Sequence, residues 1–469
     1  MCGTTLQHQA KQDTGREMLM SLQLIYGPSG SGKSYTLYKK IIEQSIREPD
    51  REFIVIVPEQ FTMQTQRELV ELHPNRGILN IDVQSFLRLA WRIFEEVGVD
   101  THTVLEDTGK NLLLRRVASR QKNDLTVLGR NFRKPGYISQ VKSIISELKQ
   151  YDVSLEELDE QLCSGKKDAL SYKLQDIRNL YEGFQEELQG KYITSEEILE
   201  ELCYVVKKSE ILKGCVVALD GFTGFTPIQN KLLRELMQTA EKIYVTVTLD
   251  AWEDPMKKVS MHKLSYLSKK TIQQLAGAAK ECGCMLENPE VLGKEGSIRF
   301  RSAPALRFLE RHLFRPGNQI YEARDSQKLE RELSLHVARD AKAEAEFAAR
   351  TIWHLVREEN LRYRDIAVIT GDMESFGDHM KKELQQKGIP CFIDRTRKLL
   401  LNPLIVIDLI SKPACGTSLC SIPPRLPINK NSASFLLFFI YPAIASAGFM
   451  CPAVPPPASN TFIIFLPFF

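Results

Sequence analysis

Two hydrophobic rhythms alternate along the first hundred residues. A short apolar run from Leu22 to Tyr26 passes through a glycine-rich turn into apolar positions spaced three and four apart. The pattern repeats from Phe53-Ile54-Val55-Ile56-Val57-Pro58 into EQFTMQTQRELVEL. A continuous β-branched run of this kind predicts a strand buried on both faces, and the segment after it predicts a helix. GILNIDVQSFLRLAWRIFEEVG then predicts a third strand turning into a helix. Strand–helix alternation points to an α/β fold with a parallel, doubly wound sheet.

Over residues 105–210 the rhythm changes. KNLLLRRVASRQ, YISQVKSIISELKQY and SYKLQDIRNLYEGFQEELQ keep helical spacing over long stretches and strand signals nearly vanish, which predicts a helical insertion. Strands return with CVVALDGFTGFTPIQNKLLREL and KIYVTVTLD. After a polar, mostly helical stretch around 255–330, LSLHVARD, AKAEAEFAARTIWHLVREEN and DIAVITGD restart the strand–helix–strand order. The expected organisation is a leader over 1–19 without structure, Met18 or Met20 being a natural start. The first part of an α/β domain spans 20–104, the insertion 105–210, and a return to the first domain with a helical extension 211–328. A second, incomplete α/β domain spans 329–410, and a tail spans 411–469.

Charge isolates that tail. Beyond Ile410 the chain has Lys412, Arg425 and Lys430 and no acidic residue, so the formal charge of +3 conceals 59 residues of each sign in 1–410. The tail reads as non-native, in the manner of an out-of-frame extension. FLLFFIYPAIASAGFM is apolar enough to suggest a membrane anchor instead, but it is shorter than the ~20 residues a span needs and contains Pro442. A globular part of zero net charge must bind nucleic acid through local patches. One such cluster lies in the insertion: Arg115, Arg116, Arg120, Lys122, Arg130, Arg133 and Lys134. It reads either as a solvated helix face or as a phosphate-tracking surface, with Arg115, Arg116, Arg130, Arg133 and Lys134 as the nucleic-acid-binding candidates. The ten cysteines are scattered, and Cys282-Gly-Cys284 has no second pair at zinc spacing, so reduced structural cysteines are expected. Residues 1–17 are polar without a secretory pattern, and a cytoplasmic protein without a membrane partner is the expectation.

The turn after Tyr26 reads Gly27-Pro28-Ser29-Gly30-Ser31-Gly32-Lys33-Ser34, between a predicted strand and a predicted helix. In that context it is a phosphate-binding loop rather than an ordinary glycine-rich turn. Backbone N–H groups and the helix start would face the phosphates of ATP, Lys33 would reach the outer ones, and Ser34 would take one Mg2+ position. The second Mg2+ position needs an acid at the end of a partner strand. Val216-Val217-Ala218-Leu219 delivers Asp220 there, although a plain strand-end aspartate would look the same. Position 221 is Gly, so no carboxylate follows to polarise a water.

Several stretches together resemble one family. ALDGFTGFTPIQ is similar to a UvrD-like superfamily 1 helicase motif with its acidic core degraded. LIYGPSGSGKSYTL, VPEQFTMQTQREL, DVQSFLRLAWRIFEEVG, GRNFRKPGYISQVKSIISELKQY, FLERHLFR and YRDIAVITGD, taken in order over 20–410, resemble the N-terminal part of AddB. AddB is the B subunit of the bacterial AddAB ATP-dependent helicase/deoxyribonuclease. The resemblance implies a superfamily 1 helicase-like core with domains 1A, 1B and 2A that binds ATP but is degenerate as a motor. It implies the partner AddA and DNA, in double-strand break repair by recombination directed by a Chi sequence.

The departures are equally informative. AddB proteins are more than twice this length, and their C-terminal half carries the nuclease and the cysteines of a [4Fe-4S] cluster. The family pattern fades here near Ile410. Cys415, Cys420 and Cys451 do not reproduce the cluster arrangement, so no cluster ligand, and no nuclease residue, is carried over. The alternatives are an autonomous P-loop kinase or transferase, and an active helicase. The long insertion and second α/β unit disfavour the first. Gly221 and the missing GDxxQ motif near 245–255 disfavour the second.

Overall fold

The computed structural model describes residues 20–393 except 100–102, 122–124, 130–133, 165–168, 190, 316, 318, 323–328 and 330–331, and also 437–440 and 464–465. The expected leader, most of the tail over 411–469, and Lys122, Arg130 and Arg133 lie outside the described residues. The chain divides into two units, one up to Arg299 and the other from Phe300.

In the first unit, β1 (Ser21–Gly27) passes through the glycine loop into α1 (Lys33–Arg47). Then come β2 (Phe53–Ile56), α2 (Thr62–Leu72), β3 (Ile81–Gln84) and α3 (Phe86–Val97). Ser85 caps α3 by accepting from the Arg88 amide, as a serine just ahead of an apolar run predicts. β4 (Thr103–Val104) opens the insertion, which holds α4 (Asp107–Arg120), α5 (Pro135–Gln150), α6 (Leu155–Ser164) and α7 (Ala169–Leu188). β5 (Tyr192–Ile193) closes it by pairing in parallel with β4. The return is α8 (Ser195–Val205), β6 (Val216–Leu219), α9 (Pro227–Leu236), β7 (Lys242–Thr248), α10 (Tyr266–Glu281), β8 (Met285–Leu286) and β9 (Glu290–Val291).

The main sheet is parallel throughout, in the order β3–β2–β6–β7–β1, with β8 and then β9 on the outer side of β1. The fold is therefore α/β with a parallel sheet, as the strand–helix rhythm predicts. Alternate residues enter opposite layers. Leu22, Leu24, Ile54, Ile56, Val217, Leu219, Ile243 and Val245 pack with α3, α8, α9 and α10. Ile25, Phe53, Val55, Val216, Ala218 and Tyr244 pack with Leu37, Tyr38 and Ile41 of α1 and Leu69 of α2. Covering both faces explains why β2 and β6 are apolar at every position rather than at every second one.

The insertion has its own core, including Leu114, Val117, Ile138, Val141, Leu180 and Phe184. A buried carboxylate organises a loop beside it. Asp176 accepts from the amides of Thr126, Val127 and Leu128 at 2.9, 2.8 and 2.7 Å and from the Thr126 hydroxyl at 3.2 Å. α8, by contrast, contributes Ile198 and Leu202 to the core of the main sheet.

In the second unit, helix Ala341–Arg357 packs Ala345, Ala348 and Ile352 with Phe376, Met380 and Leu384 of helix Met373–Gln386. Asp340 and Asp372 cap these helices through the amides of Ala343 and Ser375. The strand between them, Ile366–Ile369, pairs antiparallel with Leu437–Ile440. Among the described residues no helix is long and apolar enough to cross a membrane.

Replacing Asp176 with Ala leaves three backbone donors without their acceptor. At ~1–3 kcal/mol for an unsatisfied buried group, the unfolding free energy should fall by about 2 kcal/mol or more. Urea denaturation measures it, and an unchanged midpoint would contradict the role given to this carboxylate.

Candidate nucleotide-binding site

β1 ends at Gly27 on the carboxyl edge of the sheet, and Lys33 and Ser34 open α1. Gly30, midway round the turn, has φ +74°, a left-handed conformation that strains any L-residue. No side chain caps the start of α1, which leaves its first-turn N–H groups and the positive end of its dipole directed at the loop. Lys33 is buried, and its ammonium donates to the carbonyls of Gly27 at 3.1 Å and Pro28 at 2.9 Å. Ser34 is also buried. Ser29 and Ser31 are 6% and 3% exposed, and neither hydroxyl has a hydrogen-bond partner among the described residues. Buried hydroxyls are normally satisfied, so this pair marks a place built for an acceptor. Uncapped amides, an ammonium and hydroxyls around a tight turn suit a phosphate group.

Asp220 follows β6 and is 3% exposed. Its Oδ2 accepts from the Tyr38 hydroxyl at 2.7 Å and its Oδ1 from the Thr246 hydroxyl at 2.5 Å. Tyr38 lies one helical turn beyond Ser34 on α1, so Asp220 meets that helix a turn below the loop. Burial, reinforced by the Asp220 charge, pushes the Tyr38 phenol far above its ordinary range, and it stays a donor at any physiological pH. Burial raises the Glu68 carboxyl on α2, and the Asp220 charge adds to the effect.

Gly221 adopts φ +79°. A Cβ there would sit 3.5 Å from Pro58 Cδ and 3.8 Å from Phe61 Cδ2, so there is room for a side chain but not an easy backbone for one. The missing carboxylate is therefore matched by a turn that disfavours one.

A second acid escapes the sequence reading. Gly27 is level with Thr248 on β7, and the Leu249 amide donates to the Gly27 carbonyl at 3.1 Å. Asp250, 8% exposed, thus follows directly beside the start of the loop. KIYVTVTLD ends its apolar run in an acid just as VVALD does, and that signal could have found it.

The basic cluster is only partly in view. Arg115, Arg116 and Arg120 are exposed on α4, and Lys134 is exposed at the start of α5. Glu187 of α7 lies 3.8 Å from Arg116 and also pairs with Arg120, which offsets part of the charge. Burial pushes the thiols of Cys203, Cys215 and Cys284 up to about 11, 12 and 11, so they stay protonated. Among the described residues no group of three or more His, Cys, Asp or Glu could hold a metal ion. A Mg2+ held by one hydroxyl, one carboxylate and phosphate oxygens needs no such group.

A glycine loop at the carboxyl edge of a parallel sheet, running into an uncapped helix, defines a phosphate-loop α/β protein with a helicase-like core. Residues 24–310 match the family described as ADDB, N-terminal, and the chain belongs to that family. It is 45% identical over 392 residues to the B subunit of the ATP-dependent helicase/deoxyribonuclease of Lachnoclostridium phytofermentans, covering 82% of this chain and 34% of that protein. The proteins of the same name from Clostridium novyi and Bacillus anthracis are each 34% identical, over 389 and 398 residues. These alignments cover 83% and 82% of this chain and 33% of each relative. The chain spans about a third of the length of the curated relatives it matches.

Proposed function

We propose that this chain is the ATP-binding, helicase-like N-terminal part of the B subunit of a two-subunit helicase–deoxyribonuclease. The observation that carries the reading is the loop itself: uncapped amides, a buried Lys33 and hydroxyls without partners gathered at the carboxyl edge of a parallel sheet. In this reading Gly27 to Ser34 hold the phosphates of ATP, and Lys33 exchanges its two carbonyl acceptors for outer phosphate oxygens. The Ser34 hydroxyl holds Mg2+, with Asp220 behind it. The ion, when bound, neutralises charge between the outer phosphates. Asp220, fixed by Tyr38 and Thr246, serves chiefly to set the distance between β6 and α1. With Gly221 in place of an acid, no carboxylate follows Asp220 to activate a water, and the bound ATP acts as a structural or regulatory ligand rather than a fuel.

The names of the relatives support a role beside a second subunit and on DNA. The partner is an AddA-type helicase–nuclease subunit that supplies translocation, and the setting is cytoplasmic double-strand break repair by homologous recombination. Nuclease chemistry and the [4Fe-4S] cluster belong to the part of the family's length that this chain does not span.

Lys33→Ala should weaken ATP binding at least tenfold, about 1.4 kcal/mol, because a charged interaction with the phosphates disappears. Titration with a fluorescent ATP analogue and Mg2+ checks this, and equal affinities would refute it.

Arg115, Arg116, Arg130, Arg133 and Lys134 are proposed to track DNA phosphates. Reversing them together to Glu should weaken DNA binding and flatten its salt dependence, by close to one unit of slope for each phosphate no longer neutralised. A salt series on both proteins, with the fold checked by circular dichroism, would show identical slopes if the cluster is a solvated helix face.

A further inference from the structure

The segment after β9, Leu292-Gly-Lys-Glu-Gly-Ser-Ile-Arg299, is a strap tied to the phosphate loop at both ends. The Leu292 amide donates to the Tyr26 carbonyl at 2.8 Å, at the end of β1, and the Arg299 amide donates to the Gly30 carbonyl at 3.3 Å. Between them the Gly296 amide closes a turn onto the Gly293 carbonyl at 2.9 Å. The strap is packed tightly on the middle of the loop. A Cβ on Gly30 would lie 2.6 Å from Ser297 Oγ, 2.7 Å from Arg299 Cβ and 3.2 Å from Arg299 Cδ.

Ser297 is 4% exposed, and its hydroxyl, like those of Ser29 and Ser31, has no hydrogen-bond partner among the described residues. Leaving such a group unsatisfied is costly, and here three of them belong to the loop and to the strap lying on it. Arg299 is half-buried, and burial lowers its guanidinium to about 10. Its side chain runs along Gly30 of the loop, and hydroxyl donors together with a guanidinium suit a ligand rich in acceptor oxygens. Backbone N–H groups of such a loop serve the inner phosphates, so donors added beyond the loop fall to the outermost one.

We propose that Ser297 and Arg299 complete the phosphate site, bind the terminal phosphate of a nucleoside triphosphate, and make the site prefer tri- over diphosphate. This rests on the nucleotide-binding reading above. It extends that site from the loop to a segment more than 250 residues away in sequence, within the same unit.

The test is a titration of the full chain with fluorescent ATP and ADP analogues in Mg2+, for wild type, Lys33→Ala, Ser297→Ala, Arg299→Ala and Arg299→Lys. Arg299→Ala should lose about tenfold in ATP affinity, and Ser297→Ala about threefold, in keeping with charged and neutral hydrogen bonds respectively. ADP affinity should change by less than about twofold in both, so that the ATP/ADP ratio falls, and Arg299→Lys should recover part of it. A purely structural strap would lower ATP and ADP binding alike, and that result overturns the proposal. So does unchanged ATP binding in Ser297→Ala and Arg299→Ala while Lys33→Ala loses it, which leaves the nucleotide reading intact. Absence of ATP binding by wild type would overturn the nucleotide reading and this inference with it. Ser297→Ala deletes a single oxygen, which keeps the test decisive if an Arg299 variant fails to fold.

Discussion

Asp220 sits where three elements of the first unit must be held at fixed distances. Its carboxylate takes one hydroxyl from α1, through Tyr38, and another from β7, through Thr246, while its own amide donates to the Ile56 carbonyl of β2. A charge this deeply buried is tolerated only with such donors around it, and removing either would leave it undercompensated. The same constraint fixes α1 against the sheet, and α1 begins with the two residues that close the phosphate loop. The geometry of the candidate nucleotide site therefore depends on a carboxylate one helical turn away from it.

On the proposed reading, that arrangement separates holding a phosphate from cleaving it. The loop keeps its left-handed glycine, its lysine and an uncapped helix start. The position after Asp220 has a left-handed backbone instead of a carboxylate, and both oxygens of Asp220 are engaged with hydroxyls. Conversion to a hydrolysing site would need more than one side chain, because an L-residue at 221 carries a backbone cost of the order of 1 kcal/mol before any chemistry begins.

The parts of this molecule legible in the sequence are those whose signal is local. Phe53–Val57 reads as a doubly covered strand because every position is buried, and the loop reads as a phosphate site because its spacing is set by backbone geometry. Asp220 is visible as an acid at a strand end, but Tyr38 lies 182 residues from it and nothing local links the two. β8 and β9 are lost in a polar stretch because two residues each are too few to show a period. The strap is illegible for a related reason. Leu292–Arg299 has no periodicity, and its importance comes from its approach to Gly30, which only the fold creates.

On the proposed reading, the loop and Gly221 together mean that this chain holds ATP without turning it over. The most direct measurement incubates the purified chain with radiolabelled ATP and Mg2+, isolates the complex on a spin column, and follows the bound nucleotide over hours by thin-layer chromatography. The expected result is ATP retained intact and released as ATP on denaturation. Conversion of bound ATP to ADP at anything near the ~1–10² s⁻¹ common among enzymes, lost in Lys33→Ala, would contradict it.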